Sequence, residues 1–301
     1  MPSARCSVRS RNLSIRLWSK RIRAIGVPWH SAAGLIRPNG IRAEQETVMS
    51  VFDTLGDIYQ RSATELPFRE HLERYSMHRV VGDVTGLDVL DLGCGSGLYA
   101  RRYAEAGAAS VAGVDISEGM LATARAESSA GPATLEYFLR DAAHPAAAGD
   151  PLLDNRFDLV TAVYVLCYAT TPTELAGFFA TGRQALHDSG RFVAMTLNPD
   201  YGLGRDYFAH YGFTITQDAD GEGAPVTMGG TMPDGAQFSV TAHWWSRQAY
   251  EIAARASGFV HLRWTAPTVS EAGLAEYGED YWAACLAAPH ALILEGEADA
   301  D

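Results

Sequence analysis

An α/β fold built on a doubly wound, mostly parallel sheet is what three features of this sequence predict. Five short apolar runs recur between residues 88 and 197, stretches of helical periodicity fill the intervals between them, and a three-glycine loop follows the first run directly. Strands alternating with helices at this spacing imply βαβ units, whose right-handed crossovers place every loop after a strand end on one rim. Such sheets bind their ligands on that rim.

The elements follow in order. Residues 1–48 are basic and rich in Ser and Arg, and read as a disordered leader or the product of a start assigned upstream of Met49. A targeting peptide and an arm for an anionic partner are the alternatives. Residues 49–84 form an N-terminal helical cap of two amphipathic helices, with Val51, Leu55, Ile58 and Tyr59 at helical spacing. Asp88–Leu92 is a buried strand, Leu98–Ala106 a helix, Ser110–Val114 a strand and Glu118–Glu127 a helix. Strands at Leu135–Leu139 and Phe157–Val163 precede a helix at Thr173–His187, which Pro172 starts. Asp188-Ser189-Gly190 is a turn before the strand Arg191–Leu197. Residues 201–245 are an inserted β-rich lid, with pieces at Phe213–Gln217, Pro225–Met228 and Gln237–Ala242. Ser246 caps a helix ending near Gly258, and Phe259–Trp264 pairs with Ala291–Leu294 as an antiparallel C-terminal edge, with a helix near Glu279–Leu286 between them. The central domain therefore comprises residues 85–200 and 246–297.

Composition narrows the function. The 301 residues are 47% hydrophobic and 20% charged, as in ordinary globular proteins. No stretch approaches the roughly 20 apolar residues of a membrane-spanning helix, so a cytoplasmic protein without a membrane partner is expected. Formal net charge is −12. Nine of the 24 basic and two of the 36 acidic residues lie in the leader, so the remaining 15 and 34 leave the rest near −19. Phosphate contacts draw on clustered Lys and Arg, so a nucleic-acid partner is not expected. The four cysteines are far apart, with no CxxC pair, which suggests neither a metal site nor a disulfide framework.

The chemistry concentrates in Val89-Leu90-Asp91-Leu92-Gly93-Cys94-Gly95-Ser96-Gly97. Glycines past a buried strand permit a tight turn and close approach of backbone to ligand. The spacing is GxGxG, not the GxGxxG of dinucleotide sites, and no Gly-Lys-Ser/Thr follows, which excludes a P-loop. Asp91 stands where a pyrophosphate would otherwise sit and would repel it. A phosphate-free cation such as S-adenosyl-L-methionine suits that acid. Asp115, in Gly113-Val114-Asp115-Ile116-Ser117, lies 22 residues after Gly93 at the next strand end, where a carboxylate can accept from both ribose hydroxyls.

Together Val89–Gly97 and Val111–Ser117 resemble the class I S-adenosylmethionine-dependent methyltransferase family, over about residues 85–200. The resemblance implies a seven-stranded Rossmann-like sheet and the methyl donor. It also implies that Gly93, Cys94, Gly95 and Gly97 cradle the cofactor, with Ile116 and Met120 against adenine and Asp141 with Ala142 at the adenine amino group. Val163 and Tyr164, at the fourth strand's end, would meet the cofactor, and Tyr59 would close over it. A closer similarity, carried by Gly113–Ser117 with its following Met, by Asn198-Pro199-Asp200-Tyr201 and by the Ala-Pro-His tail, is to bacterial secondary-metabolism methyltransferases, including those acting on azapteridines such as toxoflavin.

The acceptor side is less defined. Asn198-Pro199-Asp200-Tyr201 resembles the Asn-Pro-Pro-Tyr of amide-nitrogen methyltransferases, but follows the fifth strand instead of the fourth. Aromatics in the lid and tail suit a flat small molecule enclosed from water. Tyr168, Asn198, Tyr201 and Trp244 are the candidate substrate-pocket residues. His243 is the candidate general base, needed only if the acceptor must lose a proton. An adenosyl-cofactor-binding regulatory protein and an NAD-dependent oxidoreductase remain the other readings at this point.

Overall fold

In a computed structural model, residues 58, 61–128, 135–147, 149–150, 152–153, 156–201, 207–217 and 219–299 are described. The basic leader, the first cap helix and Tyr59 lie outside them. Seven strands form one sheet: β1 (Asp88–Leu92), β2 (Ser110–Asp115), β3 (Leu135–Leu139), β4 (Phe157–Val163), β5 (Leu186–Leu197), β9 (Phe259–Thr265) and β10 (Ala291–Ala298), in the order β3-β2-β1-β4-β5-β10-β9. The first five run parallel; β10 pairs antiparallel with both β5 and β9. The strand order reverses between β1 and β4, which makes the crevice above β1 the topological switch point.

Strands buried on both faces require nearly continuous apolar runs. Val89, Val111, Leu159, Val193 and Ile293 pack on one face with Leu72, Met77 and Ala100. Leu90, Ala112, Val160, Ala194 and Leu294 pack on the other, against Phe178, Phe179 and Tyr250. Each buried side chain of this size contributes about 1.5–3 kcal/mol. The first face is covered by a π-helical segment, Arg69–Arg74, that continues as α1 (Tyr75–Val81), together with α2 (Leu98–Glu105). The second is covered by α4 (Pro172–Ala185) and α5 (Arg247–Ala256); α3 (Glu118–Glu127) lies between β2 and β3 in sequence.

A separate antiparallel sheet of β6 (Phe213–Gln217), β7 (Ala224–Thr231) and β8 (Gln237–Trp244) is inserted between β5 and α5. Two expectations are corrected. Asp188-Ser189-Gly190 is no free turn: β5 begins at Leu186 and carries those residues across a register shift opposite β4. A helix not foreseen, α6 (Glu271–Tyr277), precedes α7 (Glu279–Ala287); the Ser270 hydroxyl accepts from the Gly273 amide to start it.

Candidate functional site

Beyond Leu92 the chain turns through Gly93–Gly97 into α2. The Gly97 amide closes the turn on the Cys94 carbonyl at 2.9 Å, and the Cys94 amide donates to the Val114 carbonyl at 3.0 Å, so β2 holds the loop. Gly93, Gly95 and Gly97 have φ of +66°, +54° and +76°. That region costs an L-residue roughly 1–2 kcal/mol. A Cβ on Gly93 would overlap the Val165 side chain, and one on Gly97 would overlap the Tyr137 hydroxyl; one on Gly95 would meet nothing within 4 Å. The outer glycines therefore serve packing, while the middle one leaves its face open.

Asp115 ends β2 and faces this loop. Its Oδ2 accepts from the Gly95 amide at 2.8 Å and its Oδ1 from the Ser117 amide at 2.9 Å. A carboxylate oxygen can accept more than one hydrogen bond, so a ribose hydroxyl is a compatible partner for this group. The Ser117 hydroxyl then caps α3 by accepting from the Met120 amide at 3.1 Å. Ile116 is partly exposed, whereas Met120 is buried beneath the helix start.

Asp91 differs from the expectation of a counter-charge at the loop's edge. It is 2% exposed, beneath the loop, with the Thr161 hydroxyl donating to it at 3.0 Å. Burial, augmented by Asp115, pushes its carboxyl up to about 7 against the Thr161 hydrogen bond. A carboxylate buried to this degree can bear on a ligand through its field without direct contact. Past β3, the Asp141 carboxylate accepts from the Ala143 amide at 2.9 Å and meets His144 Nδ1 at 2.8 Å; Ala142 is buried beside it.

The end of β4 turns sharply. Val163 is partly buried, and Tyr164 takes φ of +55°. Its side chain enters a buried ionic cluster instead of remaining in the crevice: the hydroxyl donates to Glu73 Oε1 at 2.5 Å and lies 3.1 Å from His290 Nε2. His290 Nε2 is also 2.6 Å from Glu73 Oε1, and Arg69 donates to Glu73 Oε2 at 2.8 Å. Burial alone would raise the Glu73 carboxyl, but Arg69, followed by His290 and Tyr164, outweighs it and holds the group below its ordinary value. Nothing in the sequence reading singled out Arg69 or Glu73. The two signals available were an acid inside an apolar helical stretch and the His of Ala-Pro-His.

Asn198 is 7% exposed and ties the fifth-strand loop to this cluster, its amide nitrogen donating to the Pro289 carbonyl at 2.8 Å and its backbone amide to the His290 carbonyl at 2.8 Å. Tyr201 stacks on Phe208 with ring centroids 5.5 Å apart. Tyr168 and Trp244 are partly buried against the same core. His243 lies on β8 opposite Pro225.

Residues 89–190 match the family described as Methyltransferase domain. The chain carries a class I S-adenosylmethionine-dependent methyltransferase domain. A solved S-adenosylmethionine-dependent methyltransferase from Mesorhizobium loti is 26% identical, with a TM-score of 0.52 over 75% of this chain and 97% of that one. A demethylmenaquinone methyltransferase of Lactococcus lactis is 34% identical over 29% of this chain and 35% of its own length. A ubiquinone biosynthesis O-methyltransferase of Roseobacter denitrificans is 34% identical over 38% of this chain and 42% of its own. The chain thus spans well under half of these two curated relatives. S-adenosylmethionine is the cofactor of the methyltransferase domain, and the open face of Gly95 beside Asp115 fits a phosphate-free adenosyl ligand. No helix among the described residues is long and apolar enough to cross a membrane.

Proposed function

We propose that this protein methylates a small, flat acceptor at oxygen or nitrogen. The observation that carries the reading is the glycine loop held by the Asp115 carboxylate at the switch point of the sheet. In this reading the backbone of Gly93, Cys94, Gly95 and Gly97 holds the methionine part of the cofactor. Asp115 takes the ribose, Ile116 and Met120 flank adenine, and Asp141 with Ala142 meets its edge. Val163 and the backbone of Tyr164 bound the crevice on the β4 side. The bound cofactor supplies an activated methyl carbon, open to in-line attack by an acceptor lone pair. Charge disperses in such a transition state, so the protein's work is positioning and exclusion of water.

Residues 201–245, with Tyr201 and Trp244, act as the lid over the acceptor, and Tyr168 and Asn198 line its pocket. Two relatives bear names tied to demethylmenaquinone and ubiquinone biosynthesis, which supports a small-molecule acceptor. A heterocycle of secondary metabolism is the other member of that class. The acidic remainder of the chain disfavours nucleic acid.

The test uses methyl-labelled S-adenosylmethionine and the full chain, offered a panel of catechols, hydroquinones and N–H heterocycles beside transfer RNA, duplex DNA and bulk protein. Label is expected in the low-molecular-mass fraction. Label confined to the macromolecules would overturn the acceptor class.

A further inference from the structure

The buried cluster at the end of β4 holds an acid–histidine pair, Glu73 and His290. His290 is 3% exposed and Glu73 2% exposed. Glu73 is held ionised, with Arg69 as the first partner to offset its burial, and an ionised carboxylate only accepts hydrogen bonds. At 2.6 Å from Glu73, an acceptor, His290 Nε2 carries a proton, and in the neutral ring that is the one proton present. In that tautomer the other nitrogen, Nδ1, bears a lone pair, and it is buried with no hydrogen-bond partner among the described residues. Leaving such a group unmatched is destabilising, because it has given up water without gaining a partner.

The position of the pair accords with chemistry at the crevice. His290 immediately precedes β10, whose Ala291 pairs with Leu197 at the end of β5. Tyr164 is the first residue past β4, and the residue that follows it, Val165, packs on Gly93 of the glycine loop. The π-helical segment delivers Arg69 and Glu73 together. Interruptions of this kind in α-helices frequently mark functional sites. Three rings surround the imidazole: Phe68, Phe208 and Phe213, with centroids 5.4, 5.7 and 4.9 Å away.

We propose that His290 is the catalytic base for the acceptor and that Glu73 is its positioning residue, so that the acceptor carries a hydroxyl or acidic N–H on a flat, apolar frame. This rests on the methyltransferase reading above. The acceptor's proton passes to His290 Nδ1 while its oxygen or nitrogen bonds to the methyl carbon. The carbon–sulfur bond breaks, and its electron pair stays on sulfur as a neutral thioether. Glu73 stabilises the resulting imidazolium, as the carboxylate does in acid–histidine catalytic pairs. The proton then returns to solvent. Phe208 and Phe213, from the insertion, must yield to admit the acceptor. The charged and titratable groups around the imidazole are Glu73, Tyr164 and, through Glu73, Arg69; the Glu73 charge also bears on the Cys285 thiol.

Two measurements test this. Nitrogen NMR of the full chain labelled at histidine, with the His290 signals assigned by their loss in His290→Gln, should show a proton on Nε2 and none on Nδ1 at neutral pH. A proton on Nδ1 overturns the proposal, whether or not any acceptor has been found. For phenols that the wild type methylates, such as catechol or 1,4-naphthohydroquinone, His290→Gln should lower kcat by about 10²–10⁴-fold. Its affinity for S-adenosylmethionine should stay within about twofold. Glu73→Gln should lower kcat as well and change which ring nitrogen carries the proton, with the KM for S-adenosylmethionine unmoved. A His290→Gln variant that keeps kcat within threefold would also overturn it. Absence of S-adenosylmethionine binding by the wild type would instead sink the methyltransferase reading and leave the tautomer result intact.

Discussion

Asp91 and Asp115 lie 24 residues apart and their charges bear on one crevice, yet their environments give them different duties. Asp115 is partly exposed and accepts from the loop amide of Gly95, so it can take a ribose without losing that bond. Asp91 is buried, and desolvation raises its carboxyl to about 7, so near neutrality it is only partly ionised. A cationic ligand favours the ionised form. Proton release must therefore accompany binding below that value, and affinity for S-adenosylmethionine should rise with pH up to about 7 and level off above it. Titrations at several pH values should show this slope, and Asp91→Asn should flatten it. A wild-type affinity independent of pH would contradict the role given to Asp91. The same raised value means that the native state holds this proton where the unfolded chain has lost it. Its contribution to stability consequently declines as pH rises from about 4 to 7.

Among the elements, the β1-to-α2 turn has the least tolerance. Gly93→Ala would combine a left-handed backbone with overlap of Val165, and should cost about 2–4 kcal/mol, read from the urea midpoint. Gly95→Ala meets no neighbour. It should cost only the backbone strain while blocking the open face to the cofactor. The start of α5 is a second seam. The Ser246 hydroxyl accepts from the Ala249 amide at 3.1 Å, and the Ser246 amide donates to Glu222 of the insertion at 2.9 Å. Ser246→Ala should lower stability by about 1 kcal/mol. These two elements were legible in the sequence because their determinants are contiguous: glycines after an apolar run, a serine before a helical stretch. The register shift in β5 was not, since Asp188-Ser189-Gly190 reads locally as a turn and only pairing with β4 extends the strand through it. α6 was missed for being seven residues long with little periodicity of its own.

Across the whole molecule, legibility fell with sequence separation. The seven-stranded sheet, its antiparallel edge and the inserted β-sheet followed from patterns within a few residues. The Glu73 cluster unites groups 91 and 217 positions apart, and no local pattern encodes such a meeting. His243 was the more conspicuous histidine in the sequence because aromatics flank it; His290 stood out only once folding had paired it with an acid. That cluster ties the N-terminal segment to β4 and β10, so its loss should be felt globally. Glu73 is held below its ordinary range, so the native state binds fewer protons than the unfolded one in acid, and stability should fall as pH drops below about 4.5. Urea unfolding between pH 3.5 and 7 should show that decline, reduced in Glu73→Gln, which should also be less stable at neutral pH. An equal acid slope in both proteins would remove the assignment.

The most direct test of methyl transfer from an adenosyl donor is calorimetric titration of the full chain with S-adenosylmethionine and, separately, with NAD. Saturable binding of the first alone is expected, weakened about 10–100-fold in Asp115→Ala by loss of charge-assisted hydrogen bonds to the ribose. NAD binding without any response to S-adenosylmethionine, or an Asp115→Ala affinity equal to that of the wild type, would contradict it.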